Sequence, residues 1–188
     1  MEWFNTASEL IRSAVGRKLY MAEVLIGSGR ECLSMDNQTR RISTIALAMR
    51  RAIEAVPKNE LPFPMAKFPR AACMDASLLL GAYLVDCGEN DFLYVCGERG
   101  LQDDKTWTSH GWLARNNLIV DITADQFEDA PTAVIVERNS VWHRQFRESR
   151  RPECSDFRVW TGCGTDHLHT IYTRLEPQLR LARRFYRD

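Results

Sequence analysis

Apolar residues recur at helical spacing through the first third of the chain. Trp3, Ala7, Leu10, Ile11, Ala14, Val15, Leu19, Ala22 and Leu25 or Ile26 form one stripe, and Gly27-Ser28-Gly29 supplies a stop. A second stripe, Ile42, Ile45, Ala46, Met49, Ile53 and Val56, predicts another helix that ends near Pro57. Arg40, Arg41, Arg50 and Arg51 fall mostly off that stripe and are expected on a solvated face. Leu61-Pro62-Phe63-Pro64 then breaks the helix, because each proline removes a donor and restricts the residue before it. From Met74 to Val85 the chain is apolar nearly all round, which predicts a helix inside the core. Cys73 sits at its first turn and Cys87-Gly88 at its end.

The period then changes to two. Phe92–Cys96, Thr106–Arg115, Leu118–Thr123 and Ala133–Val136 read as strands. Asn116-Asn117 joins the middle two as a hairpin turn, since asparagine tolerates positive φ. Asp156–Trp160 reads as a further short strand, and Asp166–Phe185 as a helix with Pro177 as a kink point. The expected fold class is α+β, with a buried helix that begins at its cysteine packed on an antiparallel sheet and extra helices at both ends. A length of 188 residues suits a single domain: a helical part over 1–60, a core over 61–138 and a C-terminal extension over 139–188.

Composition narrows the class. The chain is 45% apolar and 27% charged, as in ordinary globular proteins, and no run approaches the ~18 apolar residues of a membrane span. Met1–Thr6 lacks the basic and apolar regions of a secretory signal, so the expected location is cytoplasmic and no membrane partner is expected. Six cysteines, at 32, 73, 87, 96, 154 and 163, are expected as reduced thiols, because a core of this size needs no disulfide staples. Net charge is zero but unevenly spread. Residues 1–70 carry 11 basic and 7 acidic side chains (+4), 71–130 carry 3 and 11 (−8), and 139–188 carry 10 and 6 (+4). The acidic middle argues against nucleic acid there and for a neutral or basic substrate. Arg180, Arg183, Arg184 and Arg187 are expected as a solvated helix end that complements the dipole.

The hairpin places chemistry. A two-residue turn at 116–117 pairs Arg115 with Leu118, which sets His110 opposite Thr123 and Trp112 opposite Asp121. These four share one face, so Asp121 lies one diagonal step from His110, about 7–8 Å between backbones and within side-chain reach. Gly111, Leu113, Leu118, Val120 and Ile122 form the opposite, core-facing side. A thiol at a helix start, an imidazole and a carboxylate are the parts of thiol-based acyl chemistry. The helix terminus favours the thiolate, the imidazole moves the proton, and the carboxylate fixes the tautomer. The backbone N–H of Cys73 offers one oxyanion donor. Asp125 is the rival third member, but it falls past the end of the ladder.

Cys73-Met74-Asp75-Ala76-Ser77-Leu78-Leu79-Leu80, Gly88 and Val95-Cys96-Gly97 resemble the nucleophile helix and following strand of the transglutaminase-like superfamily. His110-Gly111-Trp112-Leu113 resembles its histidine strand and Val120-Asp121-Ile122-Thr123 its aspartate strand, with gaps of 37 and 11 residues in the same order. The pattern spans about residues 68–127 and is also similar to the B-type leader peptidases of lasso-peptide maturation. The resemblance implies a papain-like core and acyl transfer on amide bonds, with Cys73 as nucleophile, His110 as base and Asp121 as orienter. Ala72 stands where the family often has glycine, and no upstream glutamine completes an oxyanion hole. Trp107, Trp112 and Gln126 are the candidates for that role or for substrate contact.

The leading expectation is a hydrolase of peptide, isopeptide or side-chain amide bonds, with a peptide or protein substrate and no cofactor or metal. Transfer to an amine, and a non-catalytic binding module on the same fold, are the alternatives. His143, among aromatics, is expected to be structural. Cys154, Cys163, His167 and His169 are zinc-competent residue types, but their spacing matches no common finger.

Overall fold

Asp36 begins the described part of the molecule by capping a helix. Its carboxylate accepts from Thr39 N at 2.8 Å and from Thr39 Oγ1 at 2.9 Å, satisfying a donor that the first turn leaves free. The structure is a computed structural model that describes residues 36–103, 105–150, 152–161 and 164–184. The chain divides into two compact units, Met1–Met35 and Asp36–Asp188, and the described residues all belong to the second. The helix expected over Trp3–Ile26 therefore lies outside the described residues.

The described fold is α+β. Helix α1 (Asn37–Glu54) buries the expected stripe, including Ile42, Ile45, Ala46, Met49 and Ile53. Helix α2 (Cys73–Asp86) is buried continuously from Asp75 to Leu84, as its all-round apolar sequence requires. Gly88, at φ +81°, turns the chain out of it. Helix α3 (Asp166–Arg183) runs through Pro177 and buries Leu168, Ile171, Tyr172, Leu175 and Leu179. Tyr83 Oη donates to Leu179 O at 3.1 Å, and Tyr172 Oη to Asp86 Oδ2 at 2.7 Å, which ties α3 to α2. Among the described residues, no helix is long and apolar enough to cross a membrane.

Among the described residues six strands form the sheet: β1 (Leu93–Arg99), β2 (Thr108–Arg115), β3 (Leu118–Asp121), β4 (Ile135–Arg138), β5 (Arg147–Glu148) and β6 (Glu153–Cys154). Their order is β4-β3-β2-β1-β5, with β6 also on β1, and every pairing is antiparallel. The central hairpin has the expected register: Arg115 faces Leu118, Ala114 faces Ile119 and Leu113 faces Val120, around Asn116 at φ +55°. Leu113, Leu118, Val120 and Ile122 join the main core with the helices. Trp112 belongs instead to a second cluster with Val95, Trp142 and Phe146. Ser77 Oγ donates to Gly111 O at 3.3 Å, which fixes α2 against the core side of β2.

Two expectations need correction. Asp156–Trp160 is not a strand; a 3₁₀ turn occupies Phe157–Val159, because Asp156 accepts from Arg158 N at 3.0 Å and curls the backbone. Arg50 is not solvated but buried against Asp125 and Glu54. The described part of the C-terminal extension packs on the core. Their strands β5 and β6 extend the sheet, and α3 completes the hydrophobic interior. Gly81 matters here, since a Cβ at that position would lie 2.2 Å from Ser155 O. Only glycine lets the 155 turn rest on α2.

Candidate functional site

Cys73 is the first residue of α2 and is half-buried. Among the described residues no side chain caps this helix start: the N-cap is Ala72, fully buried, at φ −111° and ψ 6°. That conformation does not demand glycine. The positive φ falls one residue earlier, at Ala71 (+57°), so the bend into the helix is made there. Cys73 lies near enough to the His110 ring to contribute to the raised pKa of that imidazole.

His110 stands on β2 opposite Gly97. Its Nε2 lies 2.7 Å from Asp121 Oδ2, and both side chains are fully buried. The hairpin thus brings the imidazole and carboxylate together, although its ladder stops at Leu113 and Val120, short of the expected His110–Thr123 and Trp112–Asp121 pairs. Gly97 leaves room for the aromatic wall, because a Cβ there would meet Trp112 at 2.7 Å and Phe146 at 2.8 Å. Phe127, Trp142 and Phe146 surround the His110 ring at centroid distances of 5.1, 5.7 and 5.5 Å.

Asp121 is saturated with donors. Oδ1 accepts from Thr123 N at 2.8 Å and Thr123 Oγ1 at 3.1 Å. Oδ2 is shared by His110 and by His143 Nε2 at 3.2 Å, and His143 Nδ1 meets Ser140 Oγ at 3.0 Å. Two imidazoles therefore flank one carboxylate, held between Trp112 and Trp142. His143 also borders an open groove of about 490 Å³ on the outer sheet face. Burial opposes ionisation of Asp121, but the His110 charge and the hydrogen bonds from His110 and His143 hold its carboxyl well below the usual range.

Burial also disfavours the imidazolium at His110. The charge and hydrogen bond of Asp121, with those of Cys73, outweigh it and raise the His110 pKa from the ordinary 6.5 to about 9. A raised pKa means that the stabilisation is complete below pH 6.5 and is lost as pH rises through about 9. Urea denaturation should therefore show wild type losing up to about 3 kcal/mol of His110-linked stability across that window. His110→Gln should lack this slope. An equal slope in both proteins would contradict the assignment.

The ligand atoms of His110, Asp121 and His143 lie within 4.8 Å of one another, so these residues include metal-competent types. Both Nε2 atoms point at the same carboxylate oxygen at hydrogen-bond distances. Tetrahedral ligands at ~2.0–2.1 Å from zinc stand roughly 3.4 Å apart, wider than the 2.7 Å contact. The arrangement is that of a hydrogen-bonded set. Of the zinc-competent residues near the C-terminus, His167 bonds Asp75 Oδ2 at 2.9 Å and His169 packs edge-on to Phe157 at 4.8 Å. Cys154 is exposed, and Cys163 lies outside the described residues. Among the described residues, Cys73, Cys87, Cys96 and Cys154 are free thiols.

The other site expectations separate clearly. Gln126 reaches the site: its Nε2 donates to His110 Nδ1 at 3.1 Å and to Thr123 O at 3.0 Å. Trp112 packs beside the ring, with centroids 5.8 Å apart. Trp107 is half-exposed, and its Nε1 turns to Glu98 Oε2 at 3.4 Å. Asp125 is taken by Arg50 at 2.7 Å. Sequence reasoning assigned His143 a structural place and did not see its bond to Asp121. Ser140 had no place in it, and Thr123 entered only as the residue opposite His110. The only sequence signal for His143 was a polar residue inside Val141–Phe146, a stretch otherwise rich in aromatics. Comparison with protein-family models, curated proteins and solved structures returned no match.

Proposed function

We propose that this chain is a thiol-dependent hydrolase of peptide, isopeptide or side-chain amide bonds. The observation that carries the reading is the meeting of three groups. A half-exposed thiol begins the helix close enough to a buried imidazole to help raise its pKa, and the far nitrogen of that imidazole is 2.7 Å from a buried carboxylate. The resemblance of residues 68–127 to the transglutaminase-like superfamily and the B-type leader peptidases supports the same reading and a papain-like core. The acidic stretch around the site favours a neutral or basic substrate, and the cytoplasm suits a free thiol.

In this reading His110 Nδ1 takes the Cys73 proton, and the thiolate adds to the carbonyl carbon of the amide. The backbone N–H of Cys73 donates to the developing oxyanion. Collapse breaks the C–N bond, and the departing amine leaves with the proton from His110. Water then gives a proton to His110 and adds to the thioester, releasing the acid and restoring the thiol. Asp121 keeps Nε2 protonated and the ring oriented throughout.

Alkylation tests the first requirement. At pH 6 an ordinary thiol is almost wholly protonated. Iodoacetamide at low excess, followed by peptide mapping, should label Cys73 roughly tenfold faster than the exposed Cys154. His110→Ala should remove that advantage. Equal rates at the two cysteines in wild type would defeat the proposal. With a substrate in hand, a labelled amine separates hydrolysis from transfer: its absence from the product supports water as acceptor.

A further inference from the structure

Gln126 occupies the His110 nitrogen that Asp121 leaves free. Its Nε2 donates to Thr123 O at 3.0 Å, and a carbonyl oxygen can only accept. That bond fixes which end of the amide faces the ring. The second proton of the same nitrogen then points at His110 Nδ1, 3.1 Å away. An N–H donor is satisfied only if Nδ1 offers its lone pair, so the contact belongs to the neutral ring protonated on Nε2. Once Nδ1 takes the Cys73 proton, two N–H groups face each other and the Gln126 bond is lost.

From this geometry we infer that Gln126 is a positioning residue that favours the neutral His110 ring and so offsets part of the stabilisation that the imidazolium receives from its other neighbours. It is not an oxyanion donor in this arrangement, because both amide protons are committed to Thr123 and His110. The other groups around the ring act differently. Asp121 and Cys73 favour the imidazolium, His143 stacks at 6.1 Å, and the Arg99–Asp129 pair stands behind Phe127 and Phe146. Gln126 opposes the first two from the one side of the ring that a substrate's leaving group must also use. A substrate that draws the amide away would strengthen the base as it binds. This inference rests on the thiol-hydrolase reading, since it concerns the same proton.

The test is the His110 titration followed by imidazole NMR in a Cys73→Ala background, where the coupled thiol is gone. Gln126→Ala should favour the protonated ring about fivefold, an upward pKa shift of roughly 0.7, as expected for loss of one ordinary hydrogen bond to the neutral form. Gln126→Glu, nearly isosteric, should shift it further upward, because a carboxylate accepts from Nδ1–H. It carries the test if the alanine variant does not fold. An unchanged or lowered His110 pKa in a folded variant overturns the inference. The parent reading fails separately, by equal alkylation of Cys73 and Cys154 in the otherwise wild-type protein.

Discussion

Asp121→Ala should cost about 3–5 kcal/mol of folding stability at pH 7 and abolish the selective reactivity of Cys73. The carboxylate is the common acceptor for two imidazole N–H groups, a backbone N–H and a hydroxyl, all within 3.2 Å. Alanine leaves these donors in a site only 1% exposed, where each unmet bond costs about 1–3 kcal/mol. His110 loses the partner that raised its pKa, so the stability slope between pH 6.5 and about 9 should vanish as well. Urea denaturation should show a lower midpoint with an unchanged m-value, about 1–3 kcal/mol per molar for a small protein. A loss below about 1 kcal/mol would mean that water replaces the carboxylate and the network is not a stability element.

Arg50→Met should cost about 1–3 kcal/mol, chiefly through the buried Ile122 carbonyl it leaves unpaired, although no catalytic role attaches to the residue. The guanidinium is spread over three segments. Nη1 and Nη2 grip Asp125 at 2.7 Å each, Nη1 also donates to Ile122 O at 2.8 Å, and Nε meets Glu54 at 2.6 Å. Its flat face lies 4.9 Å from the centre of the Phe68 ring. Methionine fills the volume but strands Asp125 and the Ile122 carbonyl. Arg50→Lys should recover less than half of the loss, because an ammonium cannot reproduce the bidentate fork. Thermal and urea melts of the three proteins decide the matter, and a lysine variant as stable as wild type would refute the geometric argument. Loosening should spread to Thr123 and Gln126, since the same loop carries them.

Arg50 also marks the limit of pattern reading. Helical periodicity identifies the apolar face of α1, and the structure agrees at Ile42, Ile45, Ala46, Met49 and Ile53. It does not reveal where a long polar side chain at the edge of that face will turn. A guanidinium can bury itself when a distant carboxylate and carbonyl wait for it, and those partners are 72 and 75 residues away. The hairpin was legible for the opposite reason. Its two strands are joined by a turn whose residues dictate loop length, so His110 and Asp121 follow from local arithmetic. His143 was not legible. It reaches Asp121 from a 3₁₀ turn at His143–Gln145, and irregular backbone carries no period from which to count. The 156–160 segment failed similarly, because β-branched and aromatic residues there suggested a strand while Asp156 supplied a local turn.

The turn at Asn116-Asn117 bears on how this protein can change over generations. Surface turns usually accept insertions and deletions with little penalty, and their lengths drift among descendants. Here one added residue that shifted the pairing of β3 would rotate Asp121 towards the helices and Val120 into the aromatic cluster. Base and carboxylate would part although neither had mutated. The side chains of this turn are free to vary among types that tolerate its backbone. Its length is constrained as tightly as any residue of the site.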